Sequence, residues 1–403
     1  MGNDHSRPEQ DAPTPPTNRP PVMPKLKRAQ VLGLLHDPGL NRDSIVSSST
    51  RFHDRIFWVA RDSQLMNPDG SVQQFPIISS TASWTDCNPD GSPVLQQVPH
   101  GADPLRNVAL RAYGENSTKQ AFFPVLKGQG APPAGGCEDG TRFAIWPDGP
   151  PLVTNISPDG HITAYNFIKK AQIRNNLTAV HSDPAVSLHR IDYIPSRHGR
   201  DHRLPEVTVV ADEFWPKDSI PYGNYGHITS PDGRTVYLYG QTETNHITAL
   251  ARVPLSHVES QRHYEYYVNG SWTSSKPSLD DNGINIKDCN AGGQGTFYYS
   301  PPWDCYVWIG GTKFPGASFH ISTAPSPEGP WTQPQMFWEG PNGNHGLGAY
   351  SLQAHPVLAG DKFGAPAERG GVNGVYVTYT KIDDFGEGKG SVYTTPLVWV
   401  EWE

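Results

Sequence analysis

The stretch RIFWVARDSQLMNPDG at residues 55–70 contains the pattern on which the fold of this chain depends. It starts with an apolar run of aromatic and β-branched residues, which is typical of a buried β-strand. The run ends in an Arg-Asp pair, and a Pro-Asp-Gly turn follows. In such a turn Pro presets the first φ angle, Asp folds onto its own backbone and Gly supplies a positive φ. The stretch therefore predicts a buried strand followed by a tight turn.

The same strand and turn signals recur along the chain. Pro-Asp-Gly occurs at residues 68–70, 89–91, 147–149, 158–160 and 231–233. Further strand-like runs are VTVVA (207–211), TVYLYG (235–240), TFYYS (296–300), CYVWIGG (305–311), VYVTYT (375–380) and PLVWVEW (396–402). Repeated strand–turn units without helical periodicity indicate small antiparallel sheets arranged radially, as in a β-propeller. Composition alone also allows a jelly roll or a sandwich.

Length and composition set the domain organisation. The chain has 403 residues, of which 40 are Gly and 40 are Pro, and its net charge is −8. The first 28 residues contain seven prolines and no apolar core, which predicts a disordered tail over residues 1–28. Residues 29–403 then divide into about five blades of four strands. We expect an all-β fold, a single five-bladed β-propeller domain, in a monomeric protein.

Several partners are disfavoured by the same composition. No basic patch stands out, so nucleic acid is not expected as a partner. No apolar stretch reaches the ~18 residues of a membrane span. A neutral polymer fits the charge better than a polyanion does.

Cysteines and glycosylation motifs favour an extracellular protein. Asn-x-Ser/Thr motifs begin at Asn116, Asn155, Asn176 and Asn269. The four cysteines form two loose pairs, which are Cys87 with Cys137 and Cys289 with Cys305. We predict disulfides in a secreted protein; the alternative is four unpaired thiols in a cytosolic one. No Cys/His set has the spacing of a zinc site.

Two Arg-Asp dipeptides are the main candidates for chemistry. Asp43 follows Arg42, and Asp62 follows Arg61 at the end of the apolar strand, 19 residues later. This is about the spacing of a strand, a turn and the next strand, so both carboxylates are expected at one mouth of a sheet. Two such carboxylates are the minimum for cleaving a glycosidic bond. Alternatively, each aspartate caps a turn or pairs with its arginine.

These motifs resemble a known family. Arg42-Asp43, FWVARDSQL (57–65), TVYLYG followed by LARV (250–253), APSPEGPWTQP (324–334) and AHPV (354–357) occur in that order. Over roughly residues 30–403 the chain resembles the five-bladed propeller glycoside hydrolases that include endo-D-arabinanases, long catalogued only as a domain of unknown function. Where that family has Gly-Asp-Thr, this chain has Arg61-Asp62-Ser63. The resemblance implies a glycoside hydrolase of a furanose-containing, D-arabinan-like polysaccharide, with Asp43 and Asp62 as its catalytic pair.

Other residues are candidates for substrate contact. Either arginine, Arg42 or Arg61, can keep its neighbouring aspartate ionised and contact substrate. Aromatic rings stack on sugar faces, and two histidines lie near turns; the candidates are Trp84, Trp146, Trp215, Tyr222, His227 and His355. For each of them core packing is the alternative. Asp212 and Glu213, after an apolar strand, are alternative acids.

Two other functions remain open at this stage. In a polysaccharide lyase, His227 or Tyr222 would be the base and Arg61 would offset a uronate charge. In a carbohydrate-binding propeller the aromatic residues would suffice without catalysis. No cofactor is expected. The resemblance allows a Ca²⁺ held by oxygen ligands in the central channel, but no ligand loop is recognisable.

Overall fold

The protein is represented by a computed structural model, which describes residues 21–44, 50–74, 77–116, 118–199, 202–362, 372–384, 386 and 391–403. Most of the tail predicted over residues 1–28 lies outside these residues. The first strand starts at Leu26, within the last three residues of that range. It is a paired strand because Leu26 and Val31 pack against the core of the last blade.

The described chain is almost entirely β-structure, as predicted, and forms five blades. Blade 1 contains β3 (Thr50–Phe52), β4 (Arg55–Ala60) and β6 (Thr81–Asp86). Blade 2 contains β9 (Leu152–Ile156), β10 (Ile162–Lys169), β12 (Val186–Tyr193) and β13 (Glu206–Trp215). Blade 3 contains β14 (Gly226–Thr229), β15 (Thr235–Gln241), β16 (Thr248–Pro254), β17 (Glu265–Val268) and β18 (Ser271–Thr273). Blade 4 contains β19 (Gly292–Ser300), β20 (Cys305–Thr312), β21 (Ser318–Ala324) and β22 (Gln335–Glu339).

Blade 5 joins the two ends of the propeller. It contains β23 (Tyr350–His355), β24 (Gly374–Asp384), β26 (Pro396–Trp402), β1 (Leu26–His36) and β7 (Val108–Arg111). β1 pairs antiparallel with β26, for example Ala29 with Val400. Pairing the first strand with the last closes the ring and covers strand edges that would otherwise be exposed.

Short elements complete the fold. The minor strands are β2 (Leu40–Arg42) with β5 (Ser63–Leu65), β8 (Arg142–Ala144) with β11 (Ala171–Ile173), and β25 (Ser391–Thr394) beside β24. The helical turns are Pro104–Arg106, Pro195–His198, Leu255–His257, Gln261–His263 and Pro356–Lys362. None of the described helices is long and apolar enough to cross a membrane.

The hydrophobic core lies between neighbouring blades rather than within one centre. Five buried clusters each join two adjacent blades. For example, Phe57 of blade 1 packs in one cluster with Ile191 of blade 2, and Trp58 packs with Leu397 of blade 5. Each blade therefore buries both of its faces, which is why the strands β4 and β15 are almost continuously apolar.

The first strand of each blade faces the central axis. These inner strands are β3, β9, β14, β19 and β23. A cavity of about 400 Å³, the lower cavity, is lined by residues of all five inner strands: Thr50, Val153, Thr229, Thr296 and Ala354. A second cavity of about 610 Å³, the upper cavity, lies where β19 and β23 begin. In a propeller such a mouth collects loops from several blades.

The predicted disulfides are not formed, since all four cysteines are free thiols. The packing of blade 4 explains why Cys289 and Cys305 do not meet. Cys289 packs in the buried cluster between blades 3 and 4, whereas Cys305 packs in the cluster between blades 4 and 5. The two thiols therefore lie on opposite faces of the blade 4 sheet, and a disulfide needs Cα atoms within ~7 Å.

Candidate active site

The two Arg-Asp dipeptides lie side by side, as the sequence analysis expected. β2 pairs with β5 through Arg42 and Ser63. Beyond that ladder, the backbone N–H of Asp43 donates to the carbonyl of Asp62 at 2.8 Å. The N–H of Arg61 donates to the carbonyl of Ser44 at 3.1 Å. The backbone therefore fixes both aspartates at one mouth of the propeller, but their side chains have different surroundings.

The carboxylate of Asp43 lines the upper cavity. Its Oδ1 accepts hydrogen bonds from the hydroxyl of Tyr350 at 2.5 Å and from Oγ of Ser44 at 3.0 Å. Burial, followed by the charge of Asp43, raises the pKa of Tyr350. The phenol therefore stays protonated and acts as a donor. Both bonds go to Oδ1, and none of the described residues bonds to Oδ2, so Oδ2 is the oxygen left to a ligand within the described part of the chain.

The carboxylate of Asp62 lies deeper and is held by Arg142. Asp62 is 7% exposed, and its oxygens accept from both terminal nitrogens of the Arg142 guanidinium, one of them at 3.1 Å. Burial raises the pKa of Asp62, and the charge of Arg142 opposes that effect. Asp62 is not among the residues that line the upper cavity. It is thus a second carboxylate behind the site rather than on its surface.

Arg61 binds a third carboxylate, that of Asp148, at the site. Its guanidinium forms an ion pair with Asp148 and lies 5.1 Å from the ring centre of Trp146. Arg142 approaches the same ring to 5.7 Å. Trp146 lines the upper cavity, so both guanidinium groups lie against one indole of the cavity wall. A small pocket of about 120 Å³ beside Asp148 is also lined by Asn224.

A chain of hydrogen bonds links residues near the start of all five inner strands. Oγ of Ser44 contacts Oγ of Ser351 at 2.8 Å. The Gln294 amide, with its oxygen towards Arg61, donates to Ser351 at 2.8 Å and accepts from Arg61. Arg61 binds Asp148, which accepts from Asn224 at 3.5 Å. Every blade thus contributes one polar group to the mouth, which is how this fold assembles a site from distant parts of the sequence.

Sequence reasoning overlooked Asp148, because it lies in the Pro-Asp-Gly of residues 147–149 and was interpreted as a turn. The structure separates this copy from the others. The glycines of the remaining copies, Gly70, Gly91, Gly160 and Gly233, all have a positive φ, whereas Gly149 does not. A signal was present: this copy follows Trp146 and is followed by two further prolines, which is unusual for a hairpin turn.

Glu243 and Tyr350 were also overlooked. Glu243 belongs to the loop between β15 and β16 and lines both the upper cavity and the small pocket. Its backbone N–H donates to Asp183 at 2.8 Å, and its exposed carboxylate lies 3.6 Å from Nζ of Lys169. Nothing in the local sequence QTETNH marks this glutamate, because its role depends on the position of the loop.

Four of the predicted sugar-contacting residues are core residues instead. Trp84, Trp215, Tyr222 and His355 are each 0% exposed. These large rings fill the space between blades, so they cannot stack on a ligand. Burial also lowers the pKa of His355 to about 3, so its imidazole is neutral and bonds to Thr378 at 2.7 Å. Of the predicted aromatic residues, only Trp146 lines the upper cavity.

Other predicted residues are also placed away from the upper cavity. Arg42 is buried and paired with Asp37. His227 lines the lower cavity, where it contacts the carbonyl of Pro150 at 2.9 Å; this separates it from Arg61 and from the buried Tyr222, so the lyase set is not assembled. Asp212 and Glu213 lie on the outermost strand of blade 2 and pair with Lys170.

The described part of the chain holds no group of three or more His, Cys, Asp or Glu side chains arranged to bind a metal ion. The polar residues of the upper cavity are a mixture of acids, amides, hydroxyls and cations. Such a set is suited to the hydroxyls of a sugar, which both donate and accept hydrogen bonds.

The chain is similar to known propellers. A family model described as "Domain of unknown function (DUF5005)" matches residues 201–362. No curated protein matches. A putative hydrolase from Bacteroides ovatus is 17% identical with a TM-score of 0.56, and the match covers 91% of this chain and 86% of the other. A putative exo-β-1,3-galactanase from Bifidobacterium bifidum is 12% identical, covering 93% and 96% at a TM-score of 0.44. An exo-β-1,3-galactanase from Phanerochaete chrysosporium is 9% identical, covering 93% and 64% at a TM-score of 0.44.

At these identities the similarity concerns the fold. The Bacteroides ovatus match agrees with the five-bladed propeller over nearly the whole chain. The other two similarities are too weak to carry an argument. The resemblance to endo-D-arabinanases therefore remains a prediction from sequence, and the function has to be argued from the upper cavity.

Proposed function

We propose that this protein is a glycoside hydrolase that cleaves a furanose-containing, D-arabinan-like polysaccharide in the upper cavity. The observation that carries the proposal is the position of Asp43. Its carboxylate lines a cavity of about 610 Å³ at the mouth of the propeller, one oxygen is held by two hydroxyl groups, and the other is left for the reacting centre. A carboxylate held in this way is suited to attack an anomeric carbon or to activate water.

The second requirement is a carboxylic acid that protonates the leaving oxygen. Asp62 is the proposed partner, because its burial raises its pKa in the direction that an acid needs. To donate a proton it has to be released by Arg142. Glu243 is the rival acid, since it reaches the cavity without such a constraint. Asp148, paired with Arg61, supplies negative charge beside the site.

The polymer and its location are the finer parts of the proposal. The furanose assignment rests on the resemblance to endo-D-arabinanases. Secretion is supported by the glycosylation motifs, because Asn155, Asn176 and Asn269 are exposed. The fourth, Asn116, donates its side-chain amide to the carbonyl of Ala82 at 3.1 Å. The free thiols neither support nor oppose secretion.

The test is reducing-sugar release, with ultraviolet monitoring, from arabinans, arabinogalactans, galactofuranans and uronate polymers. We expect release from a furanose polymer by the wild type and none by Asp43→Asn. Asp212→Asn is the matched control, since Asp212 is an exposed, ion-paired aspartate outside the site. An ultraviolet-absorbing unsaturated product would instead identify a lyase. Binding of the polymers without release by any variant would identify a carbohydrate-binding propeller.

The acid is identified by the leaving group. A general-acid variant loses turnover on substrates with poor leaving groups and keeps most of it on 4-nitrophenyl glycosides, because nitrophenolate leaves without protonation. We expect this split for Asp62→Asn and not for Glu243→Gln. The reverse result would transfer the acid role to Glu243.

A further inference from the structure

The upper cavity has an apolar rim formed by Leu177, Phe314 and Leu347. These side chains come from three different loops, line the same cavity and are 70%, 59% and 38% exposed. A single exposed apolar residue is ordinary, but several around one opening indicate a binding surface. The other large apolar residues exposed in the described part of the chain lie elsewhere: Met23, Val94, Leu95, Ile156 and Met336.

Leu177 is held in an unfavourable backbone conformation. Its φ is 64°, a region that Asn and Gly adopt at lower cost than a branched apolar residue. The turn that carries it is fixed by two backbone hydrogen bonds, from Leu177 to Arg174 at 2.8 Å and from Arg174 to Thr178 at 2.9 Å. An apolar side chain that is both strained and exposed contributes nothing to folding, which points to a ligand as the reason for its presence.

Phe314 and Leu347 form one wall. The N–H of Gly316 donates to the carbonyl of Ala349 at 2.6 Å. A Cβ atom on Gly348 would lie 2.8 Å from Pro315, so the two loops are in close contact. Phe314 also packs edge-on against Tyr350, with ring centres 5.4 Å apart.

This wall is continuous with the candidate catalytic group. Tyr350, against which Phe314 packs, donates its hydroxyl proton to Asp43 at 2.5 Å. An apolar group seated on Phe314 therefore lies beside the bond on which Asp43 would act. Bare sugars present hydroxyls at their edges, and the two leucines have no polar group to meet them. An aromatic ring in the cavity would cover apolar rim surface and stack against Phe314.

We propose that the rim binds an aryl group carried by the saccharide substrate, next to the bond that is cleaved. This inference rests on the proposed function, because it assigns the substrate of the same site. The enzyme then prefers glycosides with an aromatic substituent over the same glycosides without one.

The test compares binding of matched ligands that differ only in the apolar group. The probes are 4-nitrophenyl and methyl glycosides of the same furanoses, titrated by calorimetry into the full chain carrying Asp43→Asn, so that no hydrolysis occurs. We expect the aryl glycosides to bind about tenfold or more tightly than the methyl glycosides. Equal affinities would overturn the inference.

Variants of the rim residues, made in the Asp43→Asn protein, show whether the rim causes the aryl preference. We expect Phe314→Ser and Leu177→Asn to lower the affinity for aryl glycosides much more than the affinity for methyl glycosides, so that most of the aryl preference is lost. Met336→Ser is the matched control, since Met336 is as exposed as Phe314 and lies outside the cavity. Leu177→Asn should also raise the melting temperature, because Asn tolerates the positive φ. If both rim variants kept the aryl preference, the proposal would be overturned.

The outcome is separable from that of the proposed function. If the wild type binds aryl glycosides through the rim but hydrolyses none of them, the proposed hydrolysis fails and the apolar site stands. If it hydrolyses unsubstituted oligosaccharides as well as aryl ones, with equal kcat/KM, the hydrolase stands and the rim has no role in specificity.

Discussion

At the scale of single residues, the two aspartates named by the sequence differ in what surrounds them. Asp43 reaches the upper cavity and is held by hydroxyl groups. Asp62 is buried and held by Arg142. Replacing each by asparagine should therefore give different losses.

Asp43→Asn should lower kcat by about 10³-fold or more, because it removes the carboxylate at the reacting centre, and should leave stability almost unchanged. Asp62→Asn should lower the free energy of unfolding by about 3 kcal/mol, because it leaves the Arg142 guanidinium without its ionic partner. Chemical denaturation and polysaccharide hydrolysis measured on the same preparations would test this. Near-wild-type turnover of both variants would rule out the pair.

Tyr350 provides a second prediction at this scale. Tyr350→Phe removes the hydroxyl that donates to Asp43 and keeps the ring that packs against Phe314. Hydrogen bonds to charged groups contribute about 1.5–3 kcal/mol, so kcat should fall about 10- to 100-fold with little change in KM. Tyr376→Phe, a half-buried tyrosine outside the upper cavity, should change neither. An unchanged kcat in Tyr350→Phe would mean that the hydroxyl does not position Asp43.

At the scale of elements, the sequence predicted where the strands lie. It did not predict which side chains pack between neighbouring blades. RIFWVA and PLVWVEW coincide with β4 and β26, because apolar β-branched and aromatic runs suit strands buried on both faces. The aromatic residues Trp84 and Trp215 show the limit of this reasoning. Their loop-like contexts suggested exposed rings, but packing between blades buries them. Asp148 was missed for a similar reason, since local turn chemistry cannot reveal which loops converge at the mouth.

The packing of blade 4 leads to a prediction about the thiols. It keeps Cys289 and Cys305 on opposite faces of the sheet, and all four cysteines are free. Burial raises the pKa of both Cys289 and Cys305 to about 12, so neither forms the reactive thiolate near neutral pH. A thiol reagent should modify only Cys87 and Cys137 quickly in the native protein, and all four after unfolding without a reductant. Fewer than four thiols in the unfolded protein would reveal a disulfide.

At the scale of the whole molecule, the pairing of β1 with β26 closes the ring of blades. Each blade then packs against two neighbours, so the stability of one blade depends on the others. His189 and His355 are buried, and His227 is half-buried where it lines the lower cavity; the sequence analysis had proposed His227 and His355 for substrate contact. Burial lowers the pKa of His189 and His227 to about 4 and that of His355 to about 3. In the unfolded chain a histidine has a pKa near 6.5. Each of these side chains therefore has to be neutral for the blades to pack.

This requirement predicts acid sensitivity. Between about pH 6.5 and pH 4 the unfolded chain binds protons that the folded protein excludes, so the free energy of unfolding falls as the pH falls. Each histidine contributes up to ~1.4 kcal/mol per pH unit. Burial also raises the pKa of the acids Asp62 and Glu328, and these two groups act in the opposite direction. They are outnumbered, because burial lowers the pKa of His36 and His198 as well. Urea denaturation from pH 7.5 to 4.5 should show the decline. His227→Gln should reduce its slope, whereas the exposed control His345→Gln should leave it unchanged. A flat profile would mean that these histidines take up protons within the folded propeller.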